Sequence, residues 1–275
     1  MPRIDFDALS WIADEISRSL QAARTLVAAC TTHFDPANLR EAQTHLFAAK
    51  SVLEVAAIEP LPRFLALLEK AIDTLFDAPD LSSAALATVE RALVAVENLW
   101  YELTHHHRWQ PLRLRDPYLA LAQYVKETHA HPADLWPFPL PKPGGTPQIR
   151  SSEAEEAART KLRHRFTRSL ARWLKTGDPV ALLPAREALV GRLVLDAGRD
   201  DEPLWIAATA FVEALIRKQL DRDPESQRLL RLLQRAQKGP LTAESRLTLF
   251  RQLLLPLAAS APQTRLQRLI HQYWH

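Results

Sequence analysis

The chain has 275 residues, 47% of them apolar, with 6 glycines, 20 prolines, one cysteine and a formal net charge of +3. So few glycines among long Leu, Ala, Arg and Glu stretches argue for helices over sheets or phosphate-cradling loops, and the single Cys30 excludes an intramolecular disulfide and any multi-cysteine metal site. Charge is unevenly divided, with 12 Lys/Arg against 18 Asp/Glu in residues 1–140 and 23 against 14 in residues 141–275, giving −6 and +9.

The opening MPRIDFDALSWIADEI turns acidic and amphipathic at once and lacks the basic start and apolar stretch of a secretory signal. No apolar run approaches the ~20 residues of a membrane span, the longest candidate being the Pro-broken stretch at 253–259. The expectation is a soluble, cytoplasmic chain, with recruitment to a membrane-associated or polar complex as a further option.

Helices are predicted near 7–30, 36–58, 61–76, 82–104, 117–129, 153–175, 179–196, 204–220, 224–237, 242–257 and 263–273. Asp-Pro pairs at 35–36, 116–117, 178–179 and 223–224 read as helix starts, because Asp caps an orphan N–H and Pro at the first helical position loses no useful donor. Leu9, Ile12, Ile16, Leu20, Ala23 and Val27 recur at steps of three and four, as do Leu39, Ala42, Leu46, Ala49, Leu53 and Ala56. With Leu61, Phe64, Leu68, Ile72 and Leu75 on a third helix and Leu86, Val89, Leu93, Val96 and Trp100 on a fourth, the pattern predicts an up-down four-helix bundle over 1–107. A connecting helix and the Pro-rich segment 137–147 then fill 108–150, and a second helical bundle follows over 151–275.

The halves resemble each other. Asp35-Pro36 recurs at Asp178-Pro179 and Glu59-Pro60-Leu61 at Glu202-Pro203-Leu204, both at a spacing of 143, which also sets Ala42 on Ala185 and Leu46 on Leu189. An internal duplication is expected. The fold class read from the sequence is all-α, two related up-down helical bundles.

Residues 45–73, HLFAAKSVLEVAAIEPLPRFLALLEKAID, resemble the histidine phosphotransfer core of chemotaxis-type kinases, whose pattern runs His-x-x-Lys-Gly into apolar residues, a turn and a second helix. Aligned through Lys50, Ser51 stands at the glycine and Phe47 at the histidine, so the resemblance implies a phosphotransfer bundle without its acceptor. At 100° per residue Phe47 lies roughly 130° from the centre of the 39–56 seam, facing outward with Thr44, Ser51 and Val55. His45 lies ~160° around from Phe47 at the seam's margin, where a boundary side chain is the plainer reading than a substitute acceptor. Val190 occupies the equivalent point of the second repeat. Residues 118–141 and 161–189, in that order, are similar to the N-terminal region of the ChpA/PilL hybrid kinases of type IV pilus chemosensory systems and to the related FimL family. That likeness implies docking rather than phosphotransfer.

Other chemistry is weaker. His105, His106 and His107 with Glu102 suggest a metal site, but consecutive histidines point to different helix faces and a polar helix terminus is the plainer reading. Lys161, Arg163, Arg165, Arg168, Arg172 and Lys175 flank Leu162, Phe166, Leu170, Trp173 and Leu174, which is either a lipid- or phosphate-facing amphipathic helix or a core-facing one. Carboxylate pairs Glu155-Glu156 and Asp200-Asp201 read as solvated, and no HExxH, GxSxG or HxE with CxxC motif is present. The leading expectation is a non-catalytic scaffold of a bacterial chemosensory or type IV pilus pathway, without cofactor or metal. It binds a receiver domain, a helical signalling protein or a pilus-associated scaffold through Phe47, Lys50, Ser51 and Val55, unless the linker or second bundle covers Phe47. The alternative is a nucleic-acid or anionic-surface binder acting through the basic second half.

Overall fold

The computed structural model of the chain describes residues 6–76, 83–106, 108–136, 139–144, 152–258 and 260–274. It divides into two compact units, residues 1–137 and 138–275. The described residues form eleven α-helices and three short 3-10 turns, and none of them is in a strand. The chain is all-α.

In the first unit α1 (Phe6–Thr32), α2 (Pro36–Val55), α3 (Leu61–Phe76) and α4 (Ser83–His106) pack in chain order and α4 closes on α1. Their apolar stripes meet in one core that buries Ile16, Leu20, Leu39, Leu46, Phe64, Leu68, Leu93 and Trp100. The Asp35 carboxylate accepts the Ala37 N–H at 2.8 Å and starts α2. That helix ends sooner than its seam implies: Ala57 has φ 52°, and Ala56, read as the last seam residue, is exposed.

The helix expected to connect the bundles belongs to the first core. α5 (Arg115–Tyr124) buries Tyr118, Leu121 and Ala122, and Leu135 beyond it joins the same cluster. Because the 3-10 turn Pro111–Leu114 runs straight into α5, Asp116 stands in its first turn and is not the cap that the Asp-Pro pair suggested. The buried Asp134 carboxylate accepts from Tyr118 Oη at 3.0 Å and from the His131 N–H at 2.9 Å, and pairs with Arg63 of α3 at 3.3 Å. Burial first, then the adjacent Asp134 charge, push the Tyr118 phenol up to about 12 against the pull of Arg63. A raised phenol pKa adds stability that is complete below the unfolded value near pH ~10 and is lost as pH rises through about 12. An ultraviolet phenolate titration should therefore show a step near pH 12 that disappears in Tyr118→Phe. Persistence of that step in the variant would assign it elsewhere.

The second unit contains α6 (Ser152–Thr176), α7 (Leu183–Leu195), α8 (Glu202–Ile216), α9 (Pro224–Ala236), α10 (Ala243–Ala258) and α11 (Arg265–Trp274). Every residue of α8 from Pro203 to Leu215 is buried, and α7, α10 and α11 pack around it. A helix that is apolar on all sides has no solvent face to offer, so it becomes the axis of its domain. α8 stops short of the predicted 220, with Lys218 at φ 56°. Of the Pro-rich segment, Leu140 packs on this second core and the Gly144 N–H donates to Glu202 at 3.1 Å. Residues 137, 138 and 145–147 of that segment lie outside the described residues.

At a spacing of 143, Leu39 and Leu182, Ala42 and Ala185, Leu46 and Leu189, and Leu61 and Leu204 are all fully buried, and Asp178 caps Val180 at 3.0 Å as Asp35 caps Ala37. One end breaks the pattern. Where the first unit places Ile12, Ile16, Ala49 and Leu53, the second places Glu155, Arg159, Arg192 and Asp196. Asp196 binds Arg159 at 2.9 Å and Arg192 at 2.6 Å, Glu155 binds Arg199 through both oxygens at 2.8 and 2.9 Å, and the Arg192 guanidinium lies 5.0 Å from the Trp205 ring centroid. The solvated reading of the carboxylate pairs holds for Glu156 and Asp200, which are exposed, and fails for Glu155, which is buried, and for Asp201, which binds Arg246 at 2.5 Å. Arg199, bound to Glu155, and Arg246, bound to Asp201, lie 44 and 45 residues away in the chain, beyond what local hydrophilicity can report.

Candidate docking site

On α2 the stripe Leu39–Leu53 fills the core, which turns the opposite side of the helix to solvent. Phe47 is 61% exposed and Val55 91% exposed, with Thr44 exposed between α2's turns and Ser51 half-buried beside them. The Ser51 hydroxyl is spent on the Phe47 carbonyl at 2.9 Å. Lys50 is not a free cation: its Nζ pairs with Glu69 of α3 and lies 5.2 Å from the Phe47 ring centroid. Gln43 extends the same α2–α3 junction by donating to Asp73 at 2.5 Å. Phe47 therefore stands at the edge of a polar seam, propped by Lys50, and its ring offers apolar area that the rest of the unit does not cover. His45 is half-buried on the other side of α2.

The corresponding face of the second unit is more apolar than Val190 alone suggested. Val180 is 60%, Leu183 43% and Val194 53% exposed, while Val190 between them is half-buried. Reading for a single phosphoacceptor position singled out Val190 and passed over its neighbours. The outward spacing 183, 190, 194 was the available signal.

The remaining candidates are occupied. Glu102 pairs with Arg113, and His105 stacks on Tyr101 at 4.0 Å between ring centroids. His107 lies outside the described residues, and among those described no group of three His, Cys, Asp or Glu side chains is placed to hold a metal ion. On α6 Phe166, Leu170 and Trp173 are buried in the second core, so the apolar side of the basic helix faces the domain. No described helix is long and apolar enough to cross a membrane.

A recess between α1 and α4 holds Arg24 and Glu97, paired at 2.7 Å beside Trp100. Burial raises the Glu97 carboxyl pKa, with Arg24 pulling the other way. Its chemistry is that of a half-buried ion pair.

The chain thus presents two helical units, each with its own buried core and with exposed apolar side chains on an outer helix. Residues 151–275 match the family model described as the FimL scaffold protein second domain. The second unit is similar to that domain. The match covers just under half of the chain, and neither a curated protein nor a solved structure matches it. FimL is described as a scaffold protein. The likeness of residues 45–73 to phosphotransfer domains and of the chain to ChpA/PilL kinases rests on sequence pattern alone.

Proposed function

We propose that the chain is a non-catalytic scaffold of a bacterial chemosensory or type IV pilus pathway. In this reading the first bundle is a phosphotransfer-like domain without its histidine, and it docks a receiver domain or a helical signalling protein through the α2 face around Phe47. The observation that carries the reading is the 61% exposure of Phe47 at the aligned histidine position. An aromatic ring left in water at that point gains nothing for the free chain, whereas at an interface its burial stabilises a complex by roughly 1.5–3 kcal/mol. Two-component signalling and twitching motility are the processes such a scaffold would serve. The similarity of the second unit to the FimL domain supports the scaffold part of this reading.

Two measurements test it. Incubation with a phosphorylated cognate kinase should leave no stable label on the chain, and a labelled His45 would overturn the phosphate-silent reading. Calorimetric titration with the kinase's receiver domain should lose about tenfold or more in affinity in Phe47→Glu, in line with the burial estimate. Equal affinity of variant and wild type would remove this face from consideration.

A further inference from the structure

The outer side of the second unit carries two parallel rows of unlike chemistry. On α7 and the 3-10 turn ahead of it, Val180, Leu183, Val190 and Val194 form an apolar row. On α6, Lys161, Arg165, Arg168 and Arg172 recur at i, i+4, i+7 and i+11, all exposed. Leu183, Glu187, Val190 and Val194 repeat that interval on α7. The rows lie side by side, because Arg165 and Glu187, the second member of each series, form an ion pair. Asp196 at the end of α7 binds Arg159 near the start of α6, and the Ser169 hydroxyl donates to the Ala181 carbonyl at 2.5 Å. The two helices therefore run antiparallel, with Arg172 at the Leu183 end and Lys161 at the Val194 end. Lys161, Arg168 and Arg172 have no ion-pair partner among the described residues.

We propose that this double row docks an amphipathic helix of a partner protein whose apolar stripe covers α7 and whose acidic flank meets α6. The apolar row spans the length of α7, the reach of a helix laid into a shallow groove and read through anchors at i, i+3, i+4 and i+7. Three unpaired cations along one rim select an acidic flank and repel a basic one. Glu187, in the middle of the apolar row and paired with Arg165, neutralises one of the four cations and sets a carboxylate against an anionic lipid surface, which disfavours lipid. The exposed valines beside the cations are equally wasted on a phosphate backbone. The first unit lacks the pair of rows: at the same register α1 has Arg18, Ala22, Thr25 and Ala29, and Arg18 is tied to Glu15 at 2.6 Å. The two bundles thus offer different partners different faces, and this inference does not rest on the Phe47 reading.

The test is a display selection on the full-length chain with a library of amphipathic 18-residue helices. Their apolar stripe is fixed and their flank positions are randomised among Glu, Gln and Lys. Helices with Glu flanks should be enriched, and the best of them, titrated by fluorescence anisotropy, should bind Leu183→Glu and Val194→Glu at least tenfold more weakly. Arg168→Glu with Arg172→Glu should weaken binding about fivefold or more and flatten its salt dependence. All of these positions face solvent, so far-UV circular dichroism and the melting midpoint should match wild type. No enrichment, enrichment indifferent to flank charge, or binding that survives Leu183→Glu overturns the proposal. Co-sedimentation with phosphatidylserine vesicles that is abolished by Val194→Glu would instead assign the face to lipid, and retention of duplex DNA abolished by Arg168→Glu would assign it to nucleic acid.

Discussion

Replacing Asp196 by alanine is expected to destabilise the second unit by about 3–5 kcal/mol, the range for removing one partner of a buried ion pair. The side chain is 2% exposed and holds Arg159 and Arg192 through separate oxygens, with Arg199 at 3.8 Å. Removing it leaves Arg192 inside the domain with, among the described residues, the Trp205 ring for its charge. Denaturant unfolding, with hydrogen exchange followed by mass spectrometry over residues 183–216, reads the loss where it occurs. A change below about 1 kcal/mol, the worth of an exposed pair, would sink the argument.

The first unit supplies a control for that substitution. Its equivalents of Arg192 and Asp196 are Ala49 and Leu53, which pack into the core without charge. The double variant Arg192→Ala with Asp196→Leu writes that pair into the second unit and removes cation and anion together. It should cost less than Asp196→Ala alone, because an apolar replacement of a buried pair is often neutral whereas an orphaned charge is not. Arg159 and Arg199 keep Glu155, so recovery should be partial. A double variant worse than the single would mean that the cluster does more than satisfy its own charges.

The helices of the first unit were legible because each has one buried stripe, and a stripe leaves a period in the sequence. Asp35, Asp178 and Asp223 announced helix starts for an equally local reason: each caps an N–H two or three residues on. Phe47's outward position follows from the regular steps of the seam behind it. What was hidden is tertiary. Periodicity gives no information about Lys50's partner, since Glu69 approaches from another helix. Nor does it reveal the cluster around Glu155 and Asp196, whose members come from α6, α7 and the turn before α8. The exposed row of α7 was overlooked because valine and leucine on a helix are ordinarily assigned to a core.

α8 shows the same limit and carries the second large prediction. Leu204, Ile206, Phe211, Val212 and Leu215 follow no single face, so its sequence specifies a helix but not which side meets which neighbour. Phe211→Ala is expected to cost about 3–5 kcal/mol, since the ring is fully buried on the central helix and neighbours approach it from several sides. Because α7, α10 and α11 all pack against α8, a cavity that stays open there places the cost toward the upper end. Leu68→Ala, the matching substitution on α3, removes a smaller side chain from a helix that keeps solvent-exposed residues such as Arg63 and Ala66. It should cost about 2–5 kcal/mol and speed exchange in the first unit instead. Peptide-resolved hydrogen exchange on both variants separates the two effects. If Phe211→Ala left protection over residues 203–215 unchanged, α8 would not be the axis of its domain.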